Sequence, residues 1–253
     1  MFDAIFLFAS NIFCQLIVIT FLLSSFYNYG KKLIFKYAPI FAQKVTIIDK
    51  YPFSQIVGVI ELVFVAFCHL LFCILLLFLF KIELFASIKD TNALDCFYGI
   101  LIGIGTVGFS ILACTAVIKV IETVAPNEAP KSLEGWMAIA NAGWIRHHKH
   151  TIKVLPFYLA LLIITLQVGS EEIIFRAILT HIFMPYGAKI ALIIATLLFI
   201  YMQTLHMPSK TSAMFPVVGA TIMGITHGLL YLENPSIIPL IISHVAFFIF
   251  TIL

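Results

Sequence analysis

Uninterrupted apolar stretches of about 20 residues dominate this chain, and a helix needs about that length to cross the hydrocarbon core of a membrane. Hydrophobic residues make up 62% of the sequence and charged residues only 11%, whereas a soluble domain has about 25% charged residues. Such a chain has too little polar surface to cover a water-soluble particle. Because the stretches are continuous rather than alternating, they also disfavour a β-barrel. The sequence therefore predicts an all-α, polytopic transmembrane helix bundle.

Seven or eight spans fit these stretches. The clear ones cover approximately residues 4–27, 56–80, 97–121, 188–205, 215–232 and 237–253. The stretch 154–184 is ambiguous, because Ser170 followed by two acids is a typical helix start. One unbroken helix over this stretch would be longer than the hydrocarbon is thick, so it would have to tilt or protrude. Both readings, one pass and two, stay open from the sequence.

The basic residues lie in two of the connections. The first carries five lysines and is expected on the cytoplasmic side, which places the N-terminus outside. That N-terminus has no basic region before its apolar run and is expected to be a retained span. The connection 123–153 is predicted to be a cytoplasmic loop with an interfacial helix, whose His147, His148 and His150 are solvated. The net charge of +3 is explained by this topology, and no nucleic-acid partner is expected.

Three charged residues occur together inside an apolar segment, in the sequence Gly169-Ser170-Glu171-Glu172-Ile173-Ile174-Phe175-Arg176. On a helix Glu172 and Arg176 are neighbours at i and i+4 and can pair. Glu171 is turned about 100° away by the helical period, so it has no local cationic partner. An unpaired buried carboxylate suits a general base for water. The alternative is that both carboxylates pair with Arg176 and only fix helix packing.

Histidines in the other spans extend this polar set. His206 directly follows the stretch 188–205, and His244 lies within the last stretch. Together with Glu171 they would surround one water molecule or form a zinc site with one carboxylate and two histidines. No HExxH pattern is present, and metal-independent water activation is the preferred prediction. His69 is interpreted separately, as an interhelical hydrogen-bonding group beside Cys68.

The segment Glu171-Glu172-Ile173-Ile174-Phe175-Arg176 resembles the EExxxR motif of the CAAX protease and bacteriocin-processing (CPBP) family, also called the abortive-infection family. The order of later features agrees: a span ending in His206, a glycine-rich span, and a last span containing His244. This resemblance divides the chain into residues 1–153, three spans plus a cytoplasmic loop, and residues 154–253, a peptidase core. It covers about Leu155 to the C-terminus.

The resemblance implies a glutamate-dependent intramembrane protease. Glu171 would be the general base that activates water together with His206, and His244 would stabilise the oxyanion at the scissile carbonyl. Glu172 and Arg176 would support the site. Where the family's last motif, HxxxN, places a second oxyanion donor, this chain has Phe248. Phenylalanine cannot donate, so Ser243, Thr226 or His227 would have to substitute, turnover would be slow, or the protein would not be a protease.

The leading functional hypothesis is thus a peptidase that cuts a peptide or a prenylated protein at the membrane, with lipids and that substrate as partners. Bacteriocin processing or self-immunity, in a bacterial inner membrane, is one setting that the resemblance implies. The first alternative is a non-catalytic scaffold or regulator that binds another membrane protein. The second is a transporter, for which buried glutamate and histidine are also typical, although no inverted repeat of interrupted helices is evident.

Overall fold

The computed structural model describes residues 11–45, 50–83, 91–205, 207 and 209–252, apart from the side chains of Trp144 and Lys210. Within these residues all regular structure is helical. Six helices are long and apolar enough to cross a membrane, and a shorter apolar helix follows them. The predicted all-α membrane bundle is therefore confirmed, and seven crossing segments can be traced.

The helices are numbered in chain order, with α6 denoting the whole span Phe157–Tyr186. They are α1 (Ile12–Ala42), α2 (Phe53–Phe80), α3 (Ala93–Val124), α4 (Leu133–Ala140), α5 (Trp144–Val154), α6 (Phe157–Tyr186), α7 (Ala188–Leu205), α8 (Lys210–Glu233) and α9 (Ile238–Ile252).

Local sequence explains where several helices begin and end. The side chain of Asn11 accepts hydrogen bonds from the backbone N–H groups of Phe13 and Cys14 at the start of α1, as an N-cap does. Asn92 and Asp95 form a reciprocal capping box at the start of α3. Gly187, with φ of 108°, makes the turn between α6 and α7 in a conformation that favours glycine.

The first span differs from its prediction. Its predicted first residues, from Ala4, lie outside the described residues, and its helix continues to Ala42 rather than ending near Tyr27. The helix therefore contains Gly30 and the first three of the five lysines that the sequence assigned to the connection. A lysine near a helix end can lay its methylene stem along apolar surface while its ammonium reaches polar groups. A lysine run therefore marks the membrane boundary and not the end of the helix.

The ambiguous stretch is one continuous span without a break at Ser170. Its central turns, Ile173–Ile178, form a π-helix, in which backbone N–H groups bond to carbonyls five residues earlier. The Thr180 hydroxyl follows the same spacing and donates to the Phe175 carbonyl at 3.3 Å. The reading of this stretch as two passes is therefore wrong.

Polar contacts join the ends of helices at two places in the bundle. Lys31, in the last part of α1, donates to the carbonyl oxygens of Leu205 and Met207 at the end of α7. At the opposite end of the bundle, the Thr91 hydroxyl before α3 is 2.8 Å from the Ser236 hydroxyl before α9. The first of these ends also carries α5 and most of the basic residues, which is the distribution expected of a cytoplasmic face.

The prediction of solvated histidines in α5 is wrong for two of the three. His147 and His148 are buried, and His150 is half-buried. His147 Nδ1 lies 3.1 Å from Glu61 Oε2 of α2, so a polar contact between buried side chains joins α5 to the bundle. The burial of these histidines is explained by the amphipathic character of α5. One face carries lysines, and the other packs on α2 and α9.

Helices in lipid associate mainly through close packing, because lipid tails are as apolar as the side chains themselves. The contact of α3 with α9 is an example of such close packing. A Cβ atom built on Gly103 would lie 2.5 Å from the Ser243 carbonyl oxygen and 2.7 Å from Ala246 Cβ. The two backbones therefore approach so closely that only glycine fits.

Gly103→Ala is expected to destabilise the protein by about 1–3 kcal/mol, the usual cost of overpacking a close contact. The matched control is Gly105→Ala on the same helix, because a Cβ there meets nothing within 4 Å. Thermal unfolding in detergent would compare the two variants with the wild type. Equal unfolding temperatures for both variants would contradict the close approach of α3 to α9.

Candidate functional site

The two glutamates lie at the last residues before the π-helical turns of α6, in the middle of the span. Glu171, Glu172 and Arg176 are all buried, with at most 2% of each residue exposed. A π-helical turn holds one more residue than an α-helical turn, and such turns are frequent at functional sites. Charged groups at this depth are costly unless they pair or face the bundle interior. Each of these three does both.

Glu172 is the centre of a buried ionic cluster. Its Oε2 atom lies 3.2 Å from Arg176 Nε and 3.1 Å from His227 Nδ1. Its Oε1 atom accepts a hydrogen bond from His244 Nδ1 at 2.7 Å, a distance typical of a charge-assisted bond. The predicted i, i+4 pair thus exists, and two histidines from α8 and α9 join it.

Arg176 also contacts an aromatic ring. Its guanidinium carbon lies 4.8 Å from the centroid of the Phe199 ring, a distance at which a cation is attracted to the ring face. Phe199 is on α7, so the arginine links α6 to α7 while its charge faces Glu172. The ring also shields the guanidinium from lipid, which strengthens its pairing with the carboxylate.

Glu171 has different partners. Its Oε1 atom lies 3.0 Å from His69 Nε2 and accepts a hydrogen bond from Gln167 Nε2 at 2.9 Å. Its Oε2 atom accepts from Gln203 Nε2 at 3.3 Å. Within the described residues, its ion-pair contacts are to His69 and His244 and not to Arg176. The alternative in which both carboxylates pair with Arg176 is therefore not the observed arrangement.

His244 lies between the two carboxylates. An ionised carboxylate only accepts hydrogen bonds, so the bond to Glu172 requires a proton on Nδ1. The other nitrogen, Nε2, is then directed at Glu171 and lies 4.0 Å from its Oε2 atom. Glu172 thereby fixes the tautomer and the orientation of a ring whose free edge faces Glu171.

Phe248 stacks on His244. The two ring centroids are 5.4 Å apart with an interplanar angle of 13°. On its other face Phe248 stacks on His148 of α5, with centroids 4.0 Å apart and an angle of 7°. The side chain at the position of the expected asparagine is therefore a packing element between the interfacial helix and His244.

Two of the three groups named as substitutes for the missing donor, His227 and Ser243, have other partners. His227 Nδ1 faces a carboxylate and must carry its proton, so its Nε2 accepts from the Ser243 hydroxyl at 2.9 Å. Both side chains therefore belong to the cluster around Glu172. Thr226 is half-buried on the same helix as His227.

His206, the predicted partner of Glu171, lies outside the described residues. The residues on either side of it, Leu205 and Met207, are both held by Lys31 of α1 through their carbonyl oxygens. Gln203, one helical turn before position 206, contacts Glu171. The end of α7 is thus close to the glutamate.

The zinc alternative, with Glu171, His206 and His244 as ligands, stays a prediction, because His206 lies outside the described residues. Zinc binds nitrogen and carboxylate oxygen at about 2.0–2.2 Å in a tetrahedral arrangement. Glu171 Oε2 and His244 Nε2, 4.0 Å apart, would stand nearly opposite each other across such an ion. Among the residues that the structure describes, no group of three histidine, cysteine, aspartate or glutamate side chains is arranged to hold a metal.

Sequence reasoning missed three contributors to the site: His69, Gln167 and Gln203. Gln167 precedes Glu171 by one helical turn, so the i, i+4 rule that identified Glu172 and Arg176 could also have found it. His69 was recognised as an interhelical polar group, but its partner is Glu171 of a distant span. No local spacing predicts that contact, because it depends on how α2 packs against α6.

Comparison with known protein families finds one match, in the C-terminal part of the chain. Residues 153–250 match the family model described as type II CAAX prenyl endopeptidase Rce1-like. This segment contains α6 to α9 and nearly every group of the site, and the match confirms the resemblance to the CPBP family seen in the sequence. No curated protein and no solved structure gives a significant match.

Proposed function

We propose that the Rce1-like domain at residues 153–250 of this multi-pass membrane protein is a peptidase whose attacking water is activated by Glu171. The observation that carries the proposal is the position of His244, which is held by Glu172 and directs its second nitrogen at Glu171. The match to the family model supports the reaction class, peptide-bond hydrolysis at a membrane. The geometry is consistent with the roles proposed for the side chains.

The separation of Glu171 Oε2 from His244 Nε2 suits a shared water molecule. Two polar atoms 4.0 Å apart can both lie within hydrogen-bonding distance of one water oxygen. Glu171 would accept a proton from that water as it attacks the scissile carbonyl, with His206 assisting as in the family. Because Nδ1 of His244 already carries the proton bonded to Glu172, Nε2 can donate to the oxygen that becomes negative only after it takes a second proton, which the attacking water would supply through Glu171.

Glu172 and Arg176 have a supporting role in this proposal. Their charges balance within the bundle, and the remaining acceptor capacity of the carboxylate is used to orient His227 and His244. An orienting carboxylate behind a histidine fixes which nitrogen carries the proton. The reacting groups are thereby held in place before a substrate binds.

We further propose a peptide or a prenylated protein as substrate, in line with the description of the matched family. In a bacterial inner membrane the substrate would be a secreted peptide, with bacteriocin processing or self-immunity as the outcome. A site buried among lipid-facing spans suits a substrate that reaches it from the membrane. Such a substrate would carry an apolar anchor.

The peptidase proposal is tested by comparing the membrane peptidome of cells that contain the wild type, Glu171→Ala or His244→Ala. We expect at least one cleavage product that is present with the wild type and absent with both variants. Glu233→Ala is the matched control, because Glu233 is exposed at the end of α8. Identical peptidomes for all four proteins would refute the proposal.

The structure also offers an observation in favour of the non-catalytic alternative. Phe248 stands in place of a donor and is stacked between two histidines, an arrangement that serves packing. A scaffold that binds another membrane protein would need the fold but not the carboxylate of Glu171. In that case Glu171→Ala would leave the phenotype intact, while substitutions on a lipid-facing surface such as that of α3 would abolish it.

Removal of metal ions is expected to leave the peptidase activity unchanged, because the two described donors are arranged for a shared water and not for tetrahedral zinc. Purified protein would be analysed for bound metal and assayed before and after treatment with a chelator. Loss of activity that zinc restores would overturn metal-independent activation. It would also make His206 the obvious third ligand.

A further inference from the structure

The polar groups around Glu171 do not all come from the Rce1-like domain. His69 is on α2, outside residues 153–250, and is fully buried. Its ring packs edge-on against Tyr27 of α1, with centroids 5.0 Å apart. Two helices that the family model does not cover thus place an imidazole directly on the proposed base.

The protonation of His69 follows from its two polar contacts. Its Nδ1 atom is 2.9 Å from the backbone carbonyl oxygen of Val65. A carbonyl can only accept, so Nδ1 must carry a proton. The Nε2 atom, 3.0 Å from Glu171 Oε1, would then be an unprotonated nitrogen facing a carboxylate oxygen unless a further proton lies between them. The contact therefore requires a second proton, shared between His69 Nε2 and Glu171 Oε1.

The other contacts of Glu171 favour placing that proton on the histidine. Gln167 donates to one carboxylate oxygen and Gln203 to the other. Two amide donors stabilise the ionised form of a carboxylate. Two further groups lie near Glu171. His244 is on α9, and the Glu172–Arg176 pair is on α6 itself, where the two charges balance each other. The negative charge of Glu171 is then left to be balanced, and His69 is the imidazole in direct contact with it.

We propose that His69 is a positioning residue of the site, which keeps Glu171 ionised by holding the shared proton and fixes the orientation of its carboxylate. This inference deepens the proposed function, since an ionised Glu171 is what a general base requires. It also gives α2 a part in the chemistry. The site is then completed by a segment outside the Rce1-like domain.

The test is infrared spectroscopy of the full-length protein in detergent or lipid at neutral pH, read in the carbonyl region of protonated carboxylic acids. The wild type is expected to show no such band from Glu171. His69→Phe is expected to show a new band, which disappears in the double variant His69→Phe/Glu171→Gln. A band from Glu171 in the wild type, or no new band in His69→Phe, would overturn the proposal.

His69→Gln separates orientation from charge and replaces His69→Phe if the latter does not fold. Glutamine can donate to Glu171 but cannot hold a proton, so the new band is expected in this variant too. Because a protonated Glu171 cannot act as the base, kcat is expected to fall by about 10²–10⁴-fold, with KM little changed. His181→Phe, at an exposed histidine of α6, is the matched control and should resemble the wild type in both measurements.

The spectroscopic result does not depend on turnover. If the new band appears while no variant and no wild-type preparation cleaves a peptide, the proton-holding role of His69 stands and the peptidase proposal fails. If cleavage depends on Glu171 while the spectra of His69→Phe and His69→Gln match the wild type, the role of His69 fails and the peptidase proposal stands.

Discussion

Replacing Glu172 by alanine is expected to lower the free energy of unfolding by about 3–5 kcal/mol, the range found when one partner of a buried ion pair is removed. Arg176 would be left as an uncompensated charge, and His227 and His244 would each lose the acceptor that orients them. Chemical unfolding in detergent or bicelles measures the effect. Glu233→Ala, at an exposed position, should cost almost nothing.

A double variant shows whether the loss comes from the stranded arginine. Replacing a whole buried ion pair by apolar residues is often neutral or stabilising. Glu172→Leu combined with Arg176→Met should therefore recover much of the stability that Glu172→Ala loses. If Glu172→Ala has the same free energy of unfolding as the wild type, the Glu172–Arg176 pair does not stabilise the bundle.

Glu171→Gln is expected to lower kcat by about 10²–10⁴-fold, the usual contribution of a general base. The amide has nearly the same shape as the carboxylate and can still accept from Gln167 through its oxygen, but it cannot take a proton from water. The free energy of unfolding should fall far less than in Glu172→Ala. The assay uses purified protein in proteoliposomes, with a peptide identified from the peptidome comparison.

Substitution of the two adjacent glutamates should thus have different main effects. Replacing Glu172 mainly lowers the free energy of unfolding, whereas replacing Glu171 mainly lowers kcat. His181→Phe, the exposed substitution, controls for reconstitution. Wild-type turnover by Glu171→Gln would remove the basis of the peptidase proposal. A comparable loss of stability in both variants would show that both carboxylates are structural.

Membrane character, the pairing of Glu172 with Arg176 and the family resemblance could all be predicted from the sequence. Each depends on information that is local in the chain: the length of an apolar stretch, an i, i+4 spacing, or a short motif. The same local rules missed the continuation of α1 past Gly30, because lysines near a membrane surface are tolerated within a helix.

The contacts that define the surroundings of Glu171 could not be predicted. The π-helical turns after Glu172 have no reliable sequence signal, and the approach of His69 depends on the packing of α2 against α6. The burial of His148 against Phe248 could not be predicted either, because it also depends on how two distant helices pack. A run of histidines and basic residues suggests a solvated segment, whereas a helix with one polar face can bury the other.

The attachment of α2 has a practical consequence for dissecting the protein. Through His69 it is joined to α6, and through Glu61 it is joined to α5, just before the chain enters the matched segment. A fragment trimmed to residues 153–250 would keep both glutamates but would lose the contact of His69 with Glu171. The proposed role of His69 therefore predicts that the smallest active fragment is longer than the matched segment and extends back to include α2.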